Sequence, residues 1–131
     1  MTIFSKIING EIPSYKIAES DKFYAFLDIF PLQQGHTLIV PKTEVDKIFD
    51  VPDTYLNELM QFTKPIAKAI EQSFPCNRVS MVTVGLEVPH AHVHLIPINE
   101  ANDINFANPK LELTNEEFQQ IQKLIVSKLV V

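Results

Sequence analysis

The chain has one cysteine, Cys76, among 131 residues, which excludes an internal disulfide. A lone cysteine suits a reducing compartment, and Cys76 reads as an ordinary small apolar side chain rather than a reactive thiol. The opening Met1-Thr2-Ile3-Phe4-Ser5-Lys6 lacks the apolar run of a signal peptide. No stretch approaches the roughly 20 apolar residues of a membrane span. Positive charge is in short supply: 11 Lys and Arg stand against 16 Asp and Glu, a net charge of −5. That excludes a broad basic surface for DNA or RNA. A small phosphorylated ligand stays open, because a local site can be positive inside an acidic protein. Internal repeats, low-complexity tracts and domain boundaries are also missing. The expectation is one soluble cytoplasmic domain spanning 1–131, with 46% hydrophobic residues to fill a core.

What the chain does have is histidine, concentrated in one place. Three of its four histidines lie in Pro89-His90-Ala91-His92-Val93-His94-Leu95-Ile96-Pro97, at every second position. A strand has a side-chain period of two, so His90, His92 and His94 would share one face and Ala91, Val93 and Leu95 the other. Val93 and Ile96 favour the extended form, and the flanking prolines fit its ends. Neutral imidazoles are costly to bury unpartnered, since each ring carries a donor and an acceptor. Such a face is a metal site, a phosphate or proton-transfer site, or a satisfied polar network. Three rings at this spacing favour a functional site over the network.

The remaining pattern predicts an α+β domain, with about five antiparallel strands and helices packed on the apolar side of the sheet. The imidazole side would then stay open to a ligand. Ile3, Phe4, Ile7 and Ile8 predict a short helix stopped by Asn9-Gly10. Strands are expected over Tyr15–Glu19, Phe23–Asp28, Thr37–Val40 and Val79–Val84, followed by the histidine strand. Asp53 is the expected N-cap of a long helix whose stripe is Leu56, Leu59, Met60, Thr63, Ala67, Ile70 and Phe74. Pro65 should bend that helix, and Pro75 should end it. Residues 99–109 read as an ordered polar loop. Thr114 and Glu117 form a capping box for a last helix, Thr114–Leu129.

The run His90-Ala91-His92-Val93-His94-Leu95-Ile96 resembles the His-φ-His-φ-His-φ-φ signature of the histidine-triad (HIT) nucleotide hydrolases and transferases. Phe26-Leu27-Asp28-Ile29-Phe30-Pro31 with Gly35-His36-Thr37-Leu38-Ile39-Val40-Pro41-Lys42 resembles a second family block with the same spacing from acid to histidine. Ile3-Phe4-Ser5-Lys6-Ile7-Ile8 with Glu11-Ile12-Pro13 is similar to the family's start. The resemblance implies a five-stranded antiparallel sheet and a homodimer whose sheets join edge to edge. It implies His92 as nucleophile at the α-phosphorus of a nucleoside phosphate ester or phosphoramidate, forming a nucleotidyl-histidine. His94 would contact the phosphate oxygens and leaving group, and His90 and His36 would fix rings and tautomers. Asp28 would hold the ribose hydroxyls, with Phe4, Ile7, Phe26, Ile29 and Leu38 around the base.

The pattern departs from the family in the link before the triad, where Glu87 precedes His90 by three residues near the phosphate position. An ionised Glu87 would repel phosphate, so it would point away, pair with Lys42 or another cation, or stay protonated as a general acid. Thr83 stands where the family often has asparagine. Many bacterial relatives carry a Cys-x-x-Cys pair that helps bind zinc, and the matching positions here are Thr2 and Ser5. Neither is a zinc ligand of the usual kind, so no metal and no other cofactor is expected. Two other readings compete with a nucleotide hydrolase: a divalent-metal site built from the triad plus His36, and a nucleotide-binding module without catalysis.

Overall fold

The computed structural model describes residues 1–129. Five strands form one antiparallel sheet in the order β1-β2-β3-β5-β4: β1 (Lys16–Glu19), β2 (Phe23–Leu27), β3 (Thr37–Pro41), β4 (Arg78–Val82) and β5 (Val93–Ile98). Three helices accompany it: α1 (Ile3–Ile8), α2 (Asp53–Ser73) and α3 (Asn115–Lys128). This is the α+β antiparallel architecture that the pattern predicted. None of the described helices is long and apolar enough to cross a membrane.

The period of two sorts the central strands into two apolar layers. Phe23, Ala25 and Leu27 of β2, Ile39 of β3 and Val93 and Leu95 of β5 face a core made with Ile66, Ala69 and Ile70 of α2 and Phe118, Ile121 and Ile125 of α3. Tyr24 and Phe26, with Leu38 and Val40, pack on the opposite side against Phe4 and Ile7 of α1. The two long helices therefore cover one face, and α1 covers part of the other. Every residue of β2 and β3 is buried as a result.

The ends of several elements differ from expectation. The histidine segment enters the sheet only at Val93, so His90 and His92 lie in the extended lead-in and His94 alone sits on β5, opposite Leu38 and Val82. Their ring and backbone hydrogen bonds, described below, take the place of ladder pairing. β4 ends at Val82 rather than Val84, because the chain leaves the sheet into the link carrying Glu87. Pro52, not Asp53, occupies the N-cap of α2, and its carbonyl takes the amides of Tyr55 and Leu56. α2 continues through Pro65, with its inward face turned onto Ile66 and Ala69 while Met60 is exposed. The loop over 99–109 contains one short 3-10 turn, Ala101–Ile104. The capping box forms as expected: Glu117 donates its amide to Thr114 Oγ1 at 3.1 Å, and Thr114 donates its own to Glu117 Oε1 at 2.9 Å.

Gly35 sets the turn that delivers His36. Its φ is +90°, and a Cβ there would lie 2.6 Å from Cε2 of Phe74. Both the backbone angle and the packed ring exclude a side chain. Gly35→Ala should therefore lower unfolding free energy by about 2–4 kcal/mol, measured by urea denaturation; a loss within error of zero would contradict this role.

Candidate active site

The four histidines are all buried: His90 is 0% exposed, His36 1%, and His92 and His94 7% each. The imidazole side of the sheet is thus largely covered, not open as the strand pattern suggested, because α1 and the 105–110 segment close over it. Phe4 stands edge-on to His92 at 5.0 Å and to Phe26 at 5.7 Å between ring centroids. Phe106 does the same to His94 at 4.8 Å.

Buried rings need partners, and their partners assign the hydrogens. His92 Nδ1 lies 2.7 Å from the carbonyl of His90. A carbonyl only accepts, so Nδ1 carries the hydrogen, and in the neutral ring Nε2 keeps a bare lone pair. Leu32 donates its amide to His36 Nδ1 at 3.0 Å. Neutral His36 therefore bears its hydrogen on Nε2, which lies 2.9 Å from His94 Nδ1. His94 accepts there and must carry its own hydrogen on Nε2. The His92 and His94 rings, with centroids 5.0 Å apart, thus carry a lone pair on His92 and an N–H on His94.

The charge states agree with this. Burial, aided by the nearby Lys110 charge, brings the His36 pKa down to about 3. Burial likewise brings His94 to about 3, with His36 and His92 adding to the effect and Asp28 opposing it. Both rings are neutral at pH 7. The approach of Asp28 Oδ2 to His36 Nε2 at 3.5 Å is accordingly not an ion pair, and that N–H is already given to His94. Asp28 Oδ1 accepts the amide of Phe30 at 2.8 Å, which orients the carboxylate at the end of β2.

Most of the expected site residues converge. Asp28, His36, His94, His92, His90, Phe4 and Phe26 form one linked set of contacts. Ile7 and Leu38 belong to the apolar layer beside it, and Ile29 is exposed next to Asp28. Glu87 is exposed, and Lys42, one cation considered for it, is paired with Glu19 at 2.7 Å. Thr83 donates its hydroxyl to the carbonyl of His92 at 2.8 Å, a backbone anchor rather than a ligand contact. Phe106 was not anticipated; its signal was a single aromatic residue within the polar stretch 99–110.

The triad plus His36 does not gather into one metal cage. Asp28, His36 and His94 bring ligand atoms within 4.8 Å of one another. His90 turns its ring nitrogens to Thr2 and Pro41 instead. A metal among the first three would have to break the His36–His94 hydrogen bond.

The HIT domain family model matches residues 9–101, and the chain belongs to the HIT family. It is 37% identical over 129 residues to adenosine 5'-monophosphoramidase HNT1 of Saccharomyces cerevisiae, covering 97% of this chain and 82% of that protein. Among solved structures it is similar to a Hit-like protein from Bartonella henselae, with a TM-score of 0.84, 29% identity, and coverage of 98% of this chain and 96% of the other. A HIT family protein from Bacillus subtilis matches with a TM-score of 0.73 and 32% identity, covering 99% and 98% of the two chains.

Neutral burial of His36 and His94 has a consequence for stability. Their folded pKa values, about 3, lie below the ordinary 6.5. The unfolded chain therefore binds more protons between those values, and the stability present above pH 6.5 is lost as pH falls. The urea midpoint should fall over that range, and more shallowly in His94→Asn; identical slopes would contradict neutral burial of His94.

Proposed function

We propose that the chain is a nucleotide hydrolase or nucleotidyl transferase acting at the α-phosphorus of purine nucleoside phosphoramidates, adenylates or dinucleoside polyphosphates. The observation that carries this is the hydrogen bond from His92 Nδ1 to the His90 carbonyl at 2.7 Å, which keeps Nε2 unprotonated beside the Nε2–H of His94. Imidazole in this form is a nucleophile at neutral pH. The His92 lone pair forms the P–N bond as the bond from phosphorus to the leaving group breaks. The electron pair departs with the amine or oxygen, which the His94 Nε2–H hydrogen-bonds and which takes its proton from solvent. Water, or another acceptor in a transferase, then attacks phosphorus, the P–Nε2 bond breaks, and the proton released returns to solvent.

The binding roles follow the same geometry. Asp28 at the end of β2 accepts from the ribose hydroxyls, and Phe4, Phe26, Ile7, Leu38 and exposed Ile29 line the base side. The phosphoramidase named in yeast supports an aminated adenosine phosphate as the first substrate to test. The cytoplasm is the compartment this reading favours, since such nucleotides are intracellular and Cys76 is a free thiol.

The chain is read as a homodimer. Among the described residues β4 ends the sheet with an unpaired edge, and Met60, Ala67, Val79 and Met81 line an apolar groove between that edge and α2. Thr63 Oγ1 in the same groove is buried with no partner among the described residues. A second β4 joined edge to edge would cover this surface and extend the sheet.

His92→Asn should abolish turnover of adenosine 5'-phosphoramidate while circular dichroism and the urea midpoint stay near wild type. Undiminished turnover in that variant rules out the nucleophile. A parallel screen of diadenosine polyphosphates ranks the substrates. Met81→Asp should convert a dimer to a monomer in sedimentation equilibrium; a wild-type monomer at micromolar concentration contradicts the edge-to-edge assembly.

A further inference from the structure

A chain of hydrogen bonds reaches the triad from the N-terminus. Thr2 Oγ1 lies 2.7 Å from His90 Nδ1. The other nitrogen of that ring, Nε2, lies 2.8 Å from the carbonyl of Pro41, which only accepts. In the neutral ring Nδ1 is therefore the lone pair, and the Thr2 hydroxyl donates to it. Glu44 fixes that direction. Its Oε1 takes the Ser5 hydroxyl at 2.6 Å and the Thr2 amide at 2.7 Å, and it faces the Met1 ammonium at 3.9 Å. The Ser5 hydroxyl bond, then the Thr2 amide, hold the Glu44 carboxyl below its ordinary pKa, so it is ionised and can only accept. Ser5 has thus spent its hydrogen on Glu44. Although Ser5 Oγ is 3.2 Å from Thr2 Oγ1, the Thr2 hydrogen is left for His90.

His90 is consequently held at every polar atom. Its amide donates to Val88 O at 2.8 Å, and the next amide, Ala91, donates to Val45 O at 2.7 Å. Its carbonyl accepts the Nδ1 hydrogen of His92. The ring of His90 is buried, while Glu44 at the far end of the chain of bonds is exposed.

We propose that Thr2, oriented by Glu44 and Ser5, is a positioning residue for the nucleophile, acting through His90 to hold the carbonyl that keeps His92 Nε2 unprotonated. This rests on the reading of His92 given above. Removing the Thr2 donor leaves a buried ring nitrogen unsatisfied. The ring relieves this by turning its Nδ1 lone pair toward water, which strains the Pro41 contact and loosens the His90 backbone. His92 then samples the tautomer with hydrogen on Nε2, which cannot attack. Thr2 is also the N-cap of α1, accepting the Ser5 amide at 3.1 Å, so a structural role must be separated from the positioning one.

The test records 15N–1H spectra of the histidine rings in the full chain, with adenosine 5'-phosphoramidate kinetics on the same samples. Wild type should show His90 with hydrogen on Nε2 and His92 with hydrogen on Nδ1. Thr2→Val should shift the His90 ring resonances as Nδ1 loses its donor, shift the His92 ring, and lower kcat roughly tenfold with little change in KM. Thr2→Ser should restore both. Thr114→Val, which removes the N-cap of α3 on the other face of the sheet, should lower Tm comparably and leave ring spectra and kcat unmoved. Ring spectra of Thr2→Val that match wild type overturn the inference whatever kcat does, as does a Thr114→Val variant that reproduces the change. Should Thr2→Val fail to fold, Glu44→Ala at its exposed position decides: unmoved His90 resonances overturn the proposal. A wild type inactive on the phosphoramidate sinks the functional reading instead, and the ring spectra still judge this one.

Discussion

The arrangement depends on one hydrogen bond inside a single dipeptide step, from the His92 ring to the carbonyl of His90 two residues earlier. Free imidazole divides its hydrogen between two nitrogens, and only one tautomer leaves the outward nitrogen able to attack. A fixed carbonyl makes the choice because it can accept and nothing else. The carbonyl is fixed because its own residue is clamped by Val88, Pro41 and Thr2, with Ala91 tied to Val45 beside it. Rigid backbone does here what a buried carboxylate does for the general-base histidine of a Ser-His-Asp triad.

Burial turns this local choice into chemistry. All four rings are buried, where an unpartnered nitrogen is costly, and every ring nitrogen but the Nε2 atoms of His92 and His94 has a partner. Along Leu32, His36 and His94 the matching runs in one direction, amide to ring to ring, and ends on an N–H at the site. Along His90 and His92 it runs the other way and ends on a lone pair. The two chains of bonds meet at neighbouring rings, with opposite polarity, because the sheet sets His94 on β5 opposite Leu38 while the lead-in carries His92. Apolar layers on both faces make that placement stiff.

Much of this was legible in the residues. The alternation at His90, His92 and His94 and the Phe26–Lys42 block are short-range patterns, and they led to the sheet, the family and most of the site. Regular strand pairing at His90 and His92 was not observed, since the period of two describes an extended chain whether or not it is laddered. What stayed hidden is long-range. Thr2 meets His90 across 88 positions, and His36 meets His94 across 58. Phe106 reaches His94 from a polar loop with no period to read. The rotation of α2, with Met60 exposed and Ile66 inside, follows from its packing against the sheet and α3, which a helical stripe alone does not reveal.

The most direct test of the account is a single turnover of adenosine 5'-phosphoramidate, quenched in alkali and read by peptide fragmentation. The account predicts an adenylyl group on His92, formed and lost at rates that match turnover. Label on His90, on His94 or outside the triad, or turnover with no labelled histidine at any time, contradicts it.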